Sequence, residues 1–256
     1  MVKEILIYCD NINETYLSYV IKNLQLDGQK IGIMSCQPMQ KTINMHNKLG
    51  MNSGIIAENG ACFCLNPVDN EIYSEYENYE NFLHYKNPLT FAQIENAKLK
   101  LKKLGLEDYL SFEDREASVG FSFKRFPYEL FDDNGLCNFI KRNIYELKID
   151  FGLTVALYNP NTSFIETINE YVKLKSLKLE EIAVISHKDD EMLFYNLLNS
   201  GAMLFYLGNN NNVKNVVRKY PTGYTNNSVN SYTDVLIKLD FFKFFSSYRK
   251  NIREEY

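Results

Sequence analysis

The stretch "LEEIAVISHKDDEMLFYNLLNSG" (179–201) is where the fold is read most directly. Its first part, "LEEIAV", carries a short β-branched run of the kind a buried strand needs, and "MLFYNLLNSG" repeats apolar side chains at helical spacing. Between them lies "ISHKDDEML" (185–193), a loop with acidic residues at a strand end. That is the place where an open α/β sheet keeps a phosphate or a metal. A histidine and a lysine stand among the acids, so the loop reads as a working metal site, a modified one or the remnant of one.

Outward from this unit the same alternation recurs. "KEILIYC" (3–9) is a strand candidate, and Asn13 is placed to cap a helix whose Leu17, Val20, Ile21 and Leu24 share one face, with Gly28 ending it. "KIGIMS" (30–35) is the second strand, with Pro38 opening a helix that carries Ile43, Met45 and Leu49. "GIIAENGACFCLN" (54–66) predicts a third strand, a turn at Asn59-Gly60 and a hairpin closing near Asp69-Asn70. Residues 182–186 and 202–207 continue the series. The middle differs: a helix over 90–104, the alternating "ASVGFSFK" (117–124), a helix after Pro127, and "KIDFGLTVALYN" as two short strands or one bent one. The expected architecture is a doubly wound α/β core with a parallel sheet, in segments 1–82 and 158–256. An α+β insert spans 83–157, well placed to cover the sheet edge.

The chain has 256 residues, 45% hydrophobic and 23% charged, enough to bury a sizeable core. No run approaches the roughly 20 apolar residues that span a bilayer, and "MVKEILIYCD" leads into a strand without a cleavage site. The net charge of −4, with no basic stripe interleaved with aromatics, argues against a nucleic-acid binder. The basic "KLKLKKLG" (98–105) reads as a solvated helix face. Five cysteines, an odd number, fit reduced thiols and a cytoplasmic setting, and Cys62-x-Cys64 reads as alternate positions of a strand.

Several of these segments, taken in order, resemble the haloacid-dehalogenase (HAD)-like phosphatase superfamily: Asp10 and Ser35 at strand ends, "IIAENGA" (55–61) and "IAVISHKDDEM" (182–192). The likeness is to Cof-type and sucrose-phosphatase-like members. It is nearest to archaeal-type phosphoglycolate phosphatases through "DREASVGFSF" (114–123) and the turn-like "GNNNNVKNVV" (208–217). The resemblance implies a HAD-like (Rossmann-type) core with a C2-type cap. It makes Asp10 the nucleophile and a metal ligand, and Ser35 a phosphoryl-binding hydroxyl. Arg115 and Glu116 become cap residues facing the substrate, a structural ion pair being the alternative for them. Asp10, Asp190, Glu191 and His187 become the ligands of a divalent metal, Mg²⁺ by resemblance.

The pattern departs from the family at four places. Where the family has D-x-D, this chain has Asp10-Asn11-Ile12, so an isoleucine stands at the acid/base position; Glu14 lies two residues further on. The segment from Asp10 to Ser35 is shorter than the family's, which implies a trimmed flap hairpin. An ungapped alignment puts Phe164 at the family's lysine, with Lys173 and Lys175 too far along the helix to replace it. The G-D-x-x-N-D motif becomes Ser186-His187-Lys188-Asp189-Asp190-Glu191. An imidazole in the ligand set favours softer ions than Mg²⁺, and Lys188 disfavours any cation. The expectation is a phosphatase fold with degenerate motifs, inactive or very weak on phosphomonoesters, binding a small phosphorylated metabolite. Two alternatives stay open. One is a divergent metal-dependent phosphatase forming a phosphoaspartate on Asp10. The other is a scaffold or regulatory protein, self-associating or binding a partner through the cap or the aromatic "DFFKFFSSY" (240–248).

Overall fold

The computed structural model describes residues 2–10, 17–18, 21–22, 30–65, 83–125, 127, 133–151, 154–225 and 235. Ile12, Asn13, Glu14, the 69–70 hairpin and the 240–248 segment lie outside the described residues.

Among the described residues the main sheet has eight strands, in the order β12-β11-β10-β1-β2-β3-β4-β5. These are β1 (Glu4–Tyr8), β2 (Lys30–Met34), β3 (Ile55–Ala57), β4 (Cys62–Cys64), β5 (Leu83–Tyr85), β10 (Ile182–Ser186), β11 (Met203–Tyr206) and β12 (Gly223–Thr225). From β12 to β3 the neighbours pair in parallel, while β4 and β5 add an antiparallel margin. All five residues of β1 and of β10 are buried, because helices cover both faces of a parallel sheet. Ile5 and Ile7 feed one core and Leu6 and Tyr8 the other, as the two-residue strand period requires. The same alternation explains the C-x-C: Cys62 and Cys64 pack in one core and Phe63 in the other.

Helix α1 (Met39–Leu49) follows β2, with extended Pro38 at its N-cap and Met39, Ile43 and Leu49 buried. It stops at Gly50, whose φ of 68° is the left-handed C-terminal conformation glycine adopts without strain. Leu17 and Ile21, from the helix expected after β1, are helical and buried.

A second sheet, antiparallel and four-stranded, has the order β6-β7-β9-β8. It comprises β6 (Leu110–Glu113), β7 (Val119–Phe123), β8 (Lys148–Phe151) and β9 (Val155–Tyr158), and "KIDFGLTVALYN" is thus two strands. Helices α2 (Phe91–Leu101) and α3 (Asp133–Asn143) pack on it through Ala97, Leu101, Leu136 and Ile140 against Val119, Phe121 and Leu157. Thr90 and Gln93 close a capping box at the start of α2.

The described residues of the main layers also include helices α4 (Phe164–Leu174), α5 (Glu191–Asn199) and α6 (Asn211–Val217). The turn-like 208–217 stretch therefore opens a helix, capped by the Asn210 side chain. At the edge of the sheet where β1 begins, buried Glu4 accepts from Ser53 Oγ at 2.7 Å and pairs with Lys175 Nζ at 2.9 Å. Lys175 is therefore committed away from the strand ends that carry Asp10 and Ser35.

Candidate functional site at the carboxyl ends of β1, β2 and β10

From central β1 the chain winds outward through β2 and β3, then returns to β10 on the other side of β1. The strand order reverses between β1 and β10, and the crevice outside the carboxyl ends there is the usual ligand position of such a sheet. Asp10 follows β1, Ser35 and Cys36 follow β2, and His187 and Lys188 follow β10.

The structure brings these residues together. Asp10 Oδ1 accepts from Ser35 Oγ, and Oδ2 accepts from the Tyr8 hydroxyl and, at 3.0 Å, from the Cys36 backbone N–H. A carboxylate offers about four lone-pair directions, and these three donors take most of them. Burial pushes the Tyr8 hydroxyl well above its ordinary range, with Cys36 and Asp10 adding to the shift, so the phenol stays protonated and keeps donating. The His187 ring lies edge-on to Tyr8, with centroids 5.2 Å apart. Burial holds its pKa below 6.5, against the pull of nearby Asp10 and Asp189 and of its hydrogen bond to the Asp10 main chain.

Lys188 is the centre of the cluster. Its Nζ lies 2.7 Å from Asp150 Oδ2 on β8, 2.8 Å from Cys36 Sγ and 3.1 Å from Asn59 Oδ1. It also sits 5.4 Å from the ring centroid of Phe164 and 5.7 Å from that of Tyr8. Burial works against this ammonium, but the Cys36 sulfur that accepts from it and the Asp150 carboxylate outweigh it and raise its pKa, so Lys188 is a fixed cation. Cys36 is a thiol: burial pushes it up to about 12 despite the opposing pull of Lys188, and it donates to Asn59 Oδ1 at 2.6 Å. Phe164, aligned with the family's lysine, is buried at the start of α4, and the ammonium over its ring comes instead from the loop after β10.

The remaining expected residues go elsewhere. Asp190 is the N-cap of α5 and accepts from the Leu193 N–H at 2.9 Å, while Glu191 is exposed in the helix's first turn. Asp189, which the sequence reading passed over, bonds the Tyr206 hydroxyl and Asn210. Among the described residues, no group of three or more His, Cys, Asp or Glu side chains is arranged to hold a metal ion. With Asp10 engaged by three donors, Asp190 capping a helix and an ammonium beside them, these side chains do not fit a divalent cation.

The Arg115 side chain is buried and internally paired. It meets Glu113 Oε2 at 2.7 Å, the Cys36 carbonyl at 2.9 Å and Thr154 Oγ1 at 3.3 Å. Gly120 makes room for it, since a Cβ there would stand 1.9 Å from Arg115 Nε. Glu116 lines a cavity of about 410 Å³ with Pro38, Lys41, Ser111 and Asp114. Its backbone N–H and that of Ala117 donate to Glu58 at 2.8 and 3.0 Å, and Ser118 Oγ donates at 2.7 Å. Glu58 thus anchors the second sheet to the turn after β3. The turn itself has φ of 52°, 61° and 92° at Glu58, Asn59 and Gly60.

No family model matches the chain, and no curated protein matches it. Solved structures do. The Thermoplasma acidophilum 0175 protein is 17% identical, with a TM-score of 0.67 over 96% of this chain and 99% of its own. A haloacid dehalogenase-like hydrolase from Bacteroides thetaiotaomicron is 11% identical, with a TM-score of 0.63 over 93% and 100%. The HAD subclass IIB sugar phosphatase BT4131 is 12% identical, with a TM-score of 0.57 over 88% and 93%. The chain has the HAD-like, Rossmann-type α/β fold of these structures. No described helix is long and apolar enough to cross a membrane.

Proposed function

We propose that this protein is a HAD-like phosphatase with a degenerate site, which binds a small phosphorylated metabolite and does not turn over phosphomonoesters at an enzyme's ordinary rate. The second sheet acts as a C2-type cap over the crevice. The observation that carries the reading is the state of Asp10. Attack on phosphorus needs a free carboxylate lone pair, and the donors Tyr8, Ser35 and Cys36 leave that carboxylate about one of its four. The adjacent phenol is a poor acid for a leaving group, and Ile12 cannot transfer a proton at all. What supports binding is the Lys188 ammonium at the crevice, joined by the Ser35 hydroxyl and the Cys36 backbone N–H when a phosphate takes the place of Asp10 as their acceptor. Calorimetric titration with phosphoglycolate in metal-free buffer tests this. Saturable binding that Ser35→Ala weakens is the expected result. No heat of binding in the millimolar range would overturn it.

The close approach of Asp10 and Ser35 favours a second reading, in which the protein is a divergent phosphatase working through a phosphoaspartate on Asp10.

A further inference from the structure

Asp150 sits on β8 of the second sheet, yet its carboxylate reaches across to the main sheet's edge and meets Lys188 Nζ at 2.7 Å. Both side chains keep some exposure, 20% for Lys188 and 31% for Asp150, so the pair lies at the mouth of the crevice and not inside a core. Beside it is a donor without an acceptor. The Asn59 side chain is buried, and its Oδ1 faces Cys36 and Lys188, but its Nδ2 has no hydrogen-bond partner among the described residues. A buried amide N–H₂ left unpaired costs free energy that an incoming acceptor recovers. A fixed ammonium, an unpaired amide donor and a single carboxylate laid against that ammonium describe an anion site already holding an internal anion.

We propose that Lys188 is the ligand-recognising cation of the crevice, in the absence of any divalent metal, and that Asp150 is a built-in competitor which a phosphate group must displace. This rests on the proposed function above, since the ligand is the same small phosphate-bearing metabolite. A phosphate carries more charge and more acceptor oxygens than the carboxylate it replaces, so it can hold Lys188 and still accept from Asn59 Nδ2. Displacing Asp150 also removes an ion pair between the two sheets, which couples ligand binding to release of β8 from the main sheet's edge. A ligand's apparent affinity falls by the fraction of molecules in which the site is competent. Removing the competitor's charge therefore tightens binding without adding any contact.

The test is calorimetric titration of the full chain with inorganic phosphate, at low ionic strength and with chelator present. Asp150→Asn, nearly the same shape without the charge, is expected to bind phosphate about five- to tenfold more tightly than the natural chain. Lys188→Gln is expected to lose binding in both backgrounds, and circular dichroism checks that each variant is folded. Asp150→Ser repeats the comparison should Asp150→Asn fail to fold. Unchanged affinity in the folded Asp150 variants, with binding still abolished by Lys188→Gln, overturns the competition and leaves the proposed function standing. Full binding in Lys188→Gln overturns the assignment of the cation. Absence of phosphate binding in the natural chain and in the Asp150 variants alike overturns the proposed function together with this inference.

Discussion

The carboxylate of Glu58 accepts a 2.7 Å hydrogen bond from Ser118 Oγ, joining the turn after β3 to the segment that enters β7. The same carboxylate takes the Glu116 and Ala117 backbone N–H groups, so one fully buried acid satisfies three donors of the second sheet's approach. Removing it leaves buried N–H groups unpaired, each at the cost of an unmade hydrogen bond. Glu58→Ala is expected to lower stability by about 3 kcal/mol. Proteolysis should then cut first near residues 114–118. Urea unfolding and limited proteolysis with mass spectrometry measure both. A change below about 0.5 kcal/mol, the scale of an ordinary surface substitution, would remove the anchor from the account.

Acid should weaken the fold through buried His46 and half-buried His187. Burial depresses the pKa of both His46 and His187 below 6.5. For a base with a lowered folded-state pKa, the unfolded chain binds the proton first. Stability is therefore full above about 6.5 and falls as pH drops from there toward the folded-state values. Thermal melts at pH 7.5 and 5.5 should show the lower midpoint at 5.5, and His46→Gln, at a site remote from Asp10, should shrink the difference. His187→Gln should shrink it as well. A pH response unchanged in both variants would contradict the assignment.

Cys36 should be a slow thiol although it is only half-buried. Its pKa is pushed up to about 12 by burial, and the thiolate is the reactive species. Alkylation by iodoacetamide at pH 7.5, followed by mass spectrometry, should modify Cys36 more slowly in the folded protein than in urea. Lys188→Gln removes the charge that opposes the rise and should slow it further. Faster labelling of Cys36 in the folded state would mean that Lys188 holds a thiolate there.

Much of the scaffold is legible in the sequence because burial on both faces demands a particular composition. The β-branched runs of β1, β2 and β10 mark the parallel centre, and the residues just beyond them mark the crevice. Asp10, Ser35 and the loop after β10 follow from that placement. What stayed hidden depends on contacts between distant segments. Glu58 reads as part of a turn until its partners, 58 to 60 residues away, are known. Asp150 is one acid among many until β8 is paired with β9 and brought to Lys188. Lys188 itself reads as an obstacle to a cation, whereas its side chain is long enough to become the cation, lying over Phe164. Asp190 and Glu191 read as metal ligands by resemblance, but the helix that starts there turns one into a cap and the other toward solvent.

The most direct test of the central claim is hydrolysis of p-nitrophenyl phosphate and phosphoglycolate, with Mg²⁺ or Mn²⁺ supplied, by the natural chain and by Asp10→Asn. With Asp10 held by three donors and no fitting metal set among the described residues, release of product should stay near background and should be the same in both proteins. Turnover of about 1 s⁻¹ or more, within the range of ordinary enzymes, that is metal-dependent and lost in Asp10→Asn would contradict it and make Asp10 a working nucleophile.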